Sequence, residues 1–118
     1  MDSHSMHTHT CGELRTSDIG HEVTLTGWVW HRRDHGGMVF VDLRDREGLT
    51  QVSFDPDHAG GDAFHVAEAI RPEWPIKVQG VVRERPEANE KVATGQIEVL
   101  AASVEVLNRS KTPAFQIE

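Results

Sequence analysis

The sequence predicts an all-β domain with one short helix, a small closed barrel of five strands. Three observations carry this prediction. Apolar and polar residues alternate at a period of two in five separate segments, the signature of strands with one face buried. Two clusters of turn residues, Asp34-His35-Gly36-Gly37 and Asp45-Arg46-Glu47-Gly48, separate the first three segments and let the chain reverse. A single stretch of helical period lies between the third and fourth segments and must stop before Pro72, which disfavours helix at Arg71.

Gly12 to Gly20 holds a short element, with Thr16-Ser17-Asp18 available to cap a turn, and its expected role is to close one end of the barrel. The first strand runs from Val23 to Arg33 and the second from Met38 to Arg44. In the second, Val39, Val41 and Leu43 share the core face, while Met38, Phe40 and Asp42 share the other. The third strand, Leu49 to Asp55, turns Thr50, Val52 and Phe54 inward and Leu49, Gln51 and Ser53 outward. Asp55-Pro56-Asp57 and Gly60-Gly61 read as a loop, and Asp62 as the N-cap of a helix from Ala63 to Ile70. Phe64, Ala67 and Ile70 fall on one side of that helix, which would plug the bottom of the barrel. The fourth strand, Pro75 to Arg83, has Ile76 and Val78 inward and Gly80 as a bend or bulge. After a polar loop from Glu84 to Gly95, the fifth strand runs from Gln96 to Val106, with Ile97 and Val99 inward and Glu98 outward.

Composition bounds what such a domain can do. A chain of 118 residues with 37% hydrophobic and 26% charged content fits one globular domain with one core. Its net charge of −7 argues against gripping nucleic acid by bulk electrostatics, so any such contact must be local. Cys11 is the only cysteine, which excludes an internal disulfide and a cysteine-based zinc site. No apolar run approaches a membrane span, and Met1 to Thr10 lacks the apolar stretch of a signal peptide, so the cytoplasm is the expected compartment. That polar leader is expected to be mobile, with Met6 a candidate natural start and with His7 and His9 lacking the outer support a metal site needs. Asn108 to Glu118, with Pro113, reads as an exit linker.

The outward phase of the strands suggests a ligand. It puts Phe40 on a polar face with Gln51 near it, and Arg32 and Arg33 lead into the adjacent turn. An exposed ring, an amide and guanidinium groups suit a single-stranded nucleic acid: a base stacks, the amide reads its edge, and arginines meet phosphates. The plainer alternative is that Phe40 covers a neighbouring strand or loop. Arg83, Arg85, Asn89 and Lys91 stand where the polar loop could also meet a ligand. His65 reads as a partly solvated helix residue, and Asp42, Asp45 and Glu47 as a charged hairpin rather than acid/base groups. Three strands, a helix and two strands is the order of an OB-fold, a Greek-key barrel whose second and third strands carry oligonucleotide sites. The order and the exposed residues therefore agree.

The run GWVWHRRDHGGMVFVDLRDREGLTQVSFD closely resembles the N-terminal anticodon-binding domain of bacterial aspartyl-tRNA synthetases. The likeness continues through IKVQGVVRERPE and ATGQIEVLA, covering nearly everything from Cys11 to Val106, and TPAFQIE resembles the start of the linker to the catalytic domain. Lysyl and asparaginyl synthetases share the barrel but usually lack the RRD-GG and DLRDREG run. The resemblance implies that Phe40 stacks on the central anticodon uridine, that Gln51 reads that base and that Arg33 supports it. It implies that Glu98, in TGQIEV, accepts hydrogen bonds from the first anticodon base, and that Arg83 and the loop with Arg85, Asn89 and Lys91 lie near the third. His35 matches a position where enzymes serving both tRNA(Asp) and tRNA(Asn) tend to carry histidine.

The resemblance also implies that ATP and magnesium are used by a catalytic domain, with no cofactor in these residues, and that the full enzyme is a homodimer; this stretch alone is expected to be a monomer, because its paired hydrophobic faces are complete without Asn108 to Glu118. The chain stops before any catalytic motif, so it is expected to bind tRNA without activating aspartate. Two other readings stay open at this point, a general single-strand binder of the same fold and a protein-interaction module. The first would need stacking aromatics along a basic groove, and the chain has no tyrosine.

Overall fold

Period-two patterning and two tight reversals produce a meander, and the meander closes on itself. In the computed structural model, which describes residues 8–90, 92 and 94–107 (of 58–62 the backbone alone), β1 (Glu22–His35), β2 (Met38–Asp45) and β3 (Gly48–Phe54) are followed by helix α1 (Pro56–Ala69), β4 (Pro75–Glu84) and β5 (Ile97–Val106). The strands form a closed barrel in the order β1-β2-β3-β5-β4. β1 serves two neighbours, pairing from Glu22 to Trp28 with β4 and from Trp28 to His35 with β2. β3 and β5 run parallel, with Gln51 opposite Glu98 and Ser53 opposite Leu100. Every other pair is antiparallel.

The inward phase is as expected: Val39, Val41, Leu43, Thr50, Val52, Phe54, Ile76, Val78, Ile97 and Val99 are all buried. Cys11 and Leu14 seal the end at the β2–β3 turn, where Cys11 N–H donates to Asp45 at 2.8 Å and Thr50 Oγ donates to the Cys11 carbonyl at 2.6 Å. A 3-10 turn, Thr16–Asp18, follows them. Helix α1 closes the opposite end with Ala63, Ala67 and Ile70. Gly36 and Gly37 hold the β1–β2 turn at φ of 61° and 84°, a conformation that costs glycine nothing. Beside the leader, Thr8 N–H donates to the Thr24 carbonyl at 2.9 Å, so the described chain lies along β1 from there. The expectations for Met6, His7, Lys91 and the linker Asn108 to Glu118 lie outside the described residues.

Three expectations are corrected. The helix begins at Pro56 rather than Ala63: Asp55 is the N-cap, accepting from Asp57 N–H at 2.9 Å, and proline occupies the first turn. An Asp-Pro start outweighs the cost of about 1 kcal/mol for each of Gly60 and Gly61 inside the helix. Gln51, Ser53 and Glu98 are on the outer face as expected, but they are buried there, at 5%, 0% and 0% exposure, because side chains of adjacent strands close over them. Arg32 does not join Arg33. The β1–β2 register slips between Val29 and His31, so Trp30 is an extra residue, Arg32 faces Val41 and Arg33 faces Phe40. Simple alternation from Val29 would have turned Arg33 inward; the bulge turns it outward beside the ring.

Candidate nucleic-acid interface

The outer face of β1, β2, β3 and β5 converges on one cluster. β2 supplies Phe40, half-buried, and β1 supplies Arg33, whose Cζ lies 5.2 Å from the centre of the Phe40 ring. Arg33 Nη2 donates to Gln51 Oε1 at 2.9 Å, and Gln51 Nε2 donates to Glu98 Oε1 at 2.6 Å. Cross-strand registry explains the second bond, since Gln51 and Glu98 are paired residues of β3 and β5. The other Glu98 oxygen accepts from Ser53 Oγ at 3.2 Å and from Arg83 Nε at 2.6 Å. Arg83 is the β4 residue paired with Glu98, and its Nη2 also reaches Ser53 Oγ at 3.3 Å. A buried carboxylate is costly alone, and here a guanidinium and two neutral donors compensate it.

A pocket of about 430 Å³ opens over this cluster. Arg33, His35, Phe40, Gln51 and Glu98 line its floor and one side, and Arg85, Pro86 and Glu87 of the β4–β5 loop line the other. Its chemistry is a flat apolar ring, an amide and cations at the rim, which suits a planar hydrogen-bonding group carried on an anionic chain. The structure therefore brings together Arg33, His35, Phe40, Gln51 and Glu98. Arg83 stands behind Glu98 rather than in the pocket lining. The backbone N–H of Asn89 donates to the Gly95 carbonyl at 2.8 Å within the loop, and Asn89 does not line the pocket. Arg32 is committed elsewhere, donating to the Ala67 and Glu68 carbonyls at the end of α1, both at 3.0 Å, and pairing with Asp34 at 3.0 Å. That is a helix C-terminal cap, favourable to a cation. Ser53, Pro86 and Glu87 were not anticipated; Ser53 was legible as an outward polar residue of β3, the other two only as loop.

Among the described residues, no group of three or more His, Cys, Asp or Glu could hold a metal ion, and no helix is long and apolar enough to cross a membrane. Burial pushes the Cys11 thiol well above its ordinary range, and the Asp45 carboxylate beside it pushes the same way.

A barrel of this topology with a stacking ring and a hydrogen-bonding floor on β2 and β3 defines a nucleic-acid-binding domain, and residues 23–107 match the tRNA anticodon family of OB-fold nucleic acid binding domains. The chain belongs to that family. Over 113 residues, 94% of the chain, it is 58% identical to the aspartate–tRNA(Asp/Asn) ligase of Rubrobacter xylanophilus and covers 18% of that protein. It is 55% identical over the same share to the enzyme of that name from Moorella thermoacetica, of which it also covers 18%. The chain thus spans less than a fifth of these relatives' length. Among solved structures, asparaginyl-tRNA synthetase from Pyrococcus horikoshii superposes with a TM-score of 0.73 at 28% identity, over 84% of this chain and 22% of that one. An OBody bound to hen egg-white lysozyme superposes at 0.75 with 25% identity, over 86% of this chain and 93% of that one.

Proposed function

We propose that this chain is the anticodon-reading domain of an aspartate–tRNA ligase that charges both tRNA(Asp) and tRNA(Asn). The observation that carries the reading is the pocket in which Phe40, Gln51 and Arg33 meet over a buried Glu98. In this reading the central uracil of the anticodon stacks on Phe40 and is read by the Gln51 amide. The third anticodon base lies by His35 and Arg85, which both line the pocket. Glu98 supports the amide from beneath. The ligase reaction, with its ATP and magnesium, belongs to the rest of such an enzyme, and we assign none of it to these residues. We place the protein in the cytoplasm with the translation machinery, the domain alone as a monomer and the full enzyme as a homodimer.

His35 favours the dual specificity. It lines the pocket at the tip of the β1–β2 turn, and imidazole offers a donor or an acceptor according to its tautomer, so it accommodates either pyrimidine at the third anticodon base. The test is titration of the chain with anticodon-arm hairpins carrying GUC, GUU or an unrelated triplet. We expect similar affinity for the first two, much weaker binding of the third, and a shift toward GUC in His35→Leu. Equal binding of all three would overturn the anticodon reading. Strong preference of the unaltered chain for GUC would overturn only the dual specificity.

A further inference from the structure

The outer face of the β1–β2 ribbon carries a second aromatic–arginine pair that the pocket does not use. Trp28 and Trp30 are 38% and 43% exposed, two of the three exposed large apolar side chains among the described residues. Arg44, paired across the ribbon with Trp28, lays its guanidinium over the Trp30 ring at 4.6 Å. Trp30 is the extra residue of the β1 bulge, a device that re-aims a side chain. Arg44 shares the outer face of β2 with Phe40 and follows it by four residues, which at the rise of a strand is about 13 Å. Between the two pairs stands His31, with Nδ1 3.7 Å from Asp42 and its ring 5.7 Å from Trp30. The face thus repeats one chemistry twice, Arg33 with Phe40 and Trp30 with Arg44.

We infer that Trp30 and Arg44 form a second stacking site, which takes a nucleotide of the same RNA strand outside the triplet. The inference rests on the anticodon reading of the pocket. A strand leaving the Phe40 pocket along β2 meets this pair within a few nucleotides. The indole offers area for any base, and the guanidinium meets a phosphate while keeping its contact with the ring. The site is therefore indifferent to sequence and adds affinity rather than specificity. A protein partner is the competing occupant, and continuity with the pocket together with the cationic member of the pair favours RNA.

The test is a length series of single-stranded RNAs with the triplet fixed, extended on the 5′ or the 3′ side. We expect affinity to rise with length on one side only. Trp30→Ala should cancel that rise, by about 5- to 150-fold, with triplet-only binding and the thermal unfolding curve unchanged, and Trp30→Phe should retain most of it. A triplet that binds without any gain from added length, or a gain that survives Trp30→Ala, overturns the second site alone. So does a self-association that Trp30→Ala abolishes, since the ring would then be covered by protein. Failure of the triplet itself to bind overturns the anticodon reading as well.

Discussion

The most informative residue is Gln51, because its neighbours fix which way its amide points. Arginine can only donate and a carboxylate can only accept, so Oε1 must face Arg33 and Nε2 must face Glu98; a flipped amide would lose both bonds. One acceptor position and one proton remain for a base edge, in a fixed order. Uracil and cytosine present opposite orders, so a pinned amide distinguishes them. In Glu98→Gln the amide oxygen is drawn to the donor Arg83 and the NH2 is left facing Gln51 Nε2, so only Arg33 still holds the original orientation of Gln51 and the flipped one competes with it. The expected outcome is a smaller ratio between the affinities for hairpins with uracil and with cytosine at the central position; a ratio equal to that of the unaltered chain would show that Glu98 does not set the order. Phe40→Ala separates binding from folding. The ring is half-buried on the outer face, so binding should weaken by about 1 to 3 kcal/mol in a titration. Unfolding should stay close to that of the parent, far from the loss of about 3 to 5 kcal/mol typical of a core phenylalanine. Cys11 gives a pH dependence. Its folded thiol is held above its ordinary value near 9.0, first by burial and then by Asp45, so folding favours the protonated form. That contribution is complete below pH 9.0 and falls as pH rises further, when the unfolded thiol ionises and the folded one does not. Against Cys11→Ala, urea unfolding should show the parent losing about 1.4 kcal/mol more per pH unit above that point.

At the scale of elements, the two bulges decide what the strands present. Gly80 of β4 sits opposite the bulge of β5, whose extra residue is Ala102, and a Cβ there would run into the Leu100 carbonyl and the Ala101 backbone. Gly80→Val should therefore cost stability beyond the loss of conformational freedom, on the order of 1 to 3 kcal/mol for an overpacked site, read as a lower urea midpoint. Gly80 marked the place of an irregularity, since glycine in an alternating strand signals one, but the extra residue is Ala102 of β5 and not Gly80 itself. The bulge at Trp30 was not, because no glycine announces it and tryptophan suits a strand in either phase. That single missed residue explains why Arg32 and Arg33 were grouped although one caps α1 and the other floors the pocket. The early start of α1 was hidden by Gly60-Gly61, which looked like a loop until Asp55 and Pro56 were seen to cap the helix. The faces of β2, β3 and β4 were legible because strict alternation needs no tertiary information. The parallel contact of β3 with β5 was beyond period-two patterning, and with it went the burial of Glu98, which depends on Gln51, Ser53 and Arg83 converging from two other strands.

At the scale of the molecule, charge limits how RNA can be held. The chain has 19 acidic and 12 basic residues, for a net charge of −7, so distant attraction to phosphate is absent and binding depends on cations at the interface. Arg33 and Arg85 line the pocket, while Arg83 is committed to Glu98 at 2.6 Å. Each phosphate neutralised on a single strand contributes about −0.7 to the slope of log affinity against log salt. Two contacts therefore predict a slope of about −1.4 for an RNA that fills only the pocket. A slope steeper than about −4 would require more phosphate contacts than the two arginines of the pocket supply, and would move the interface away from Phe40. Arg44 makes the same measurement sensitive to strand length. An RNA long enough to reach Trp30 adds one phosphate contact, so its slope should steepen by about 0.7, and Arg44→Ala should return it to the value for the short strand. A base that stacks on Trp30 without meeting Arg44 would leave the slope unchanged while still adding affinity, so the salt series separates the two halves of the pair.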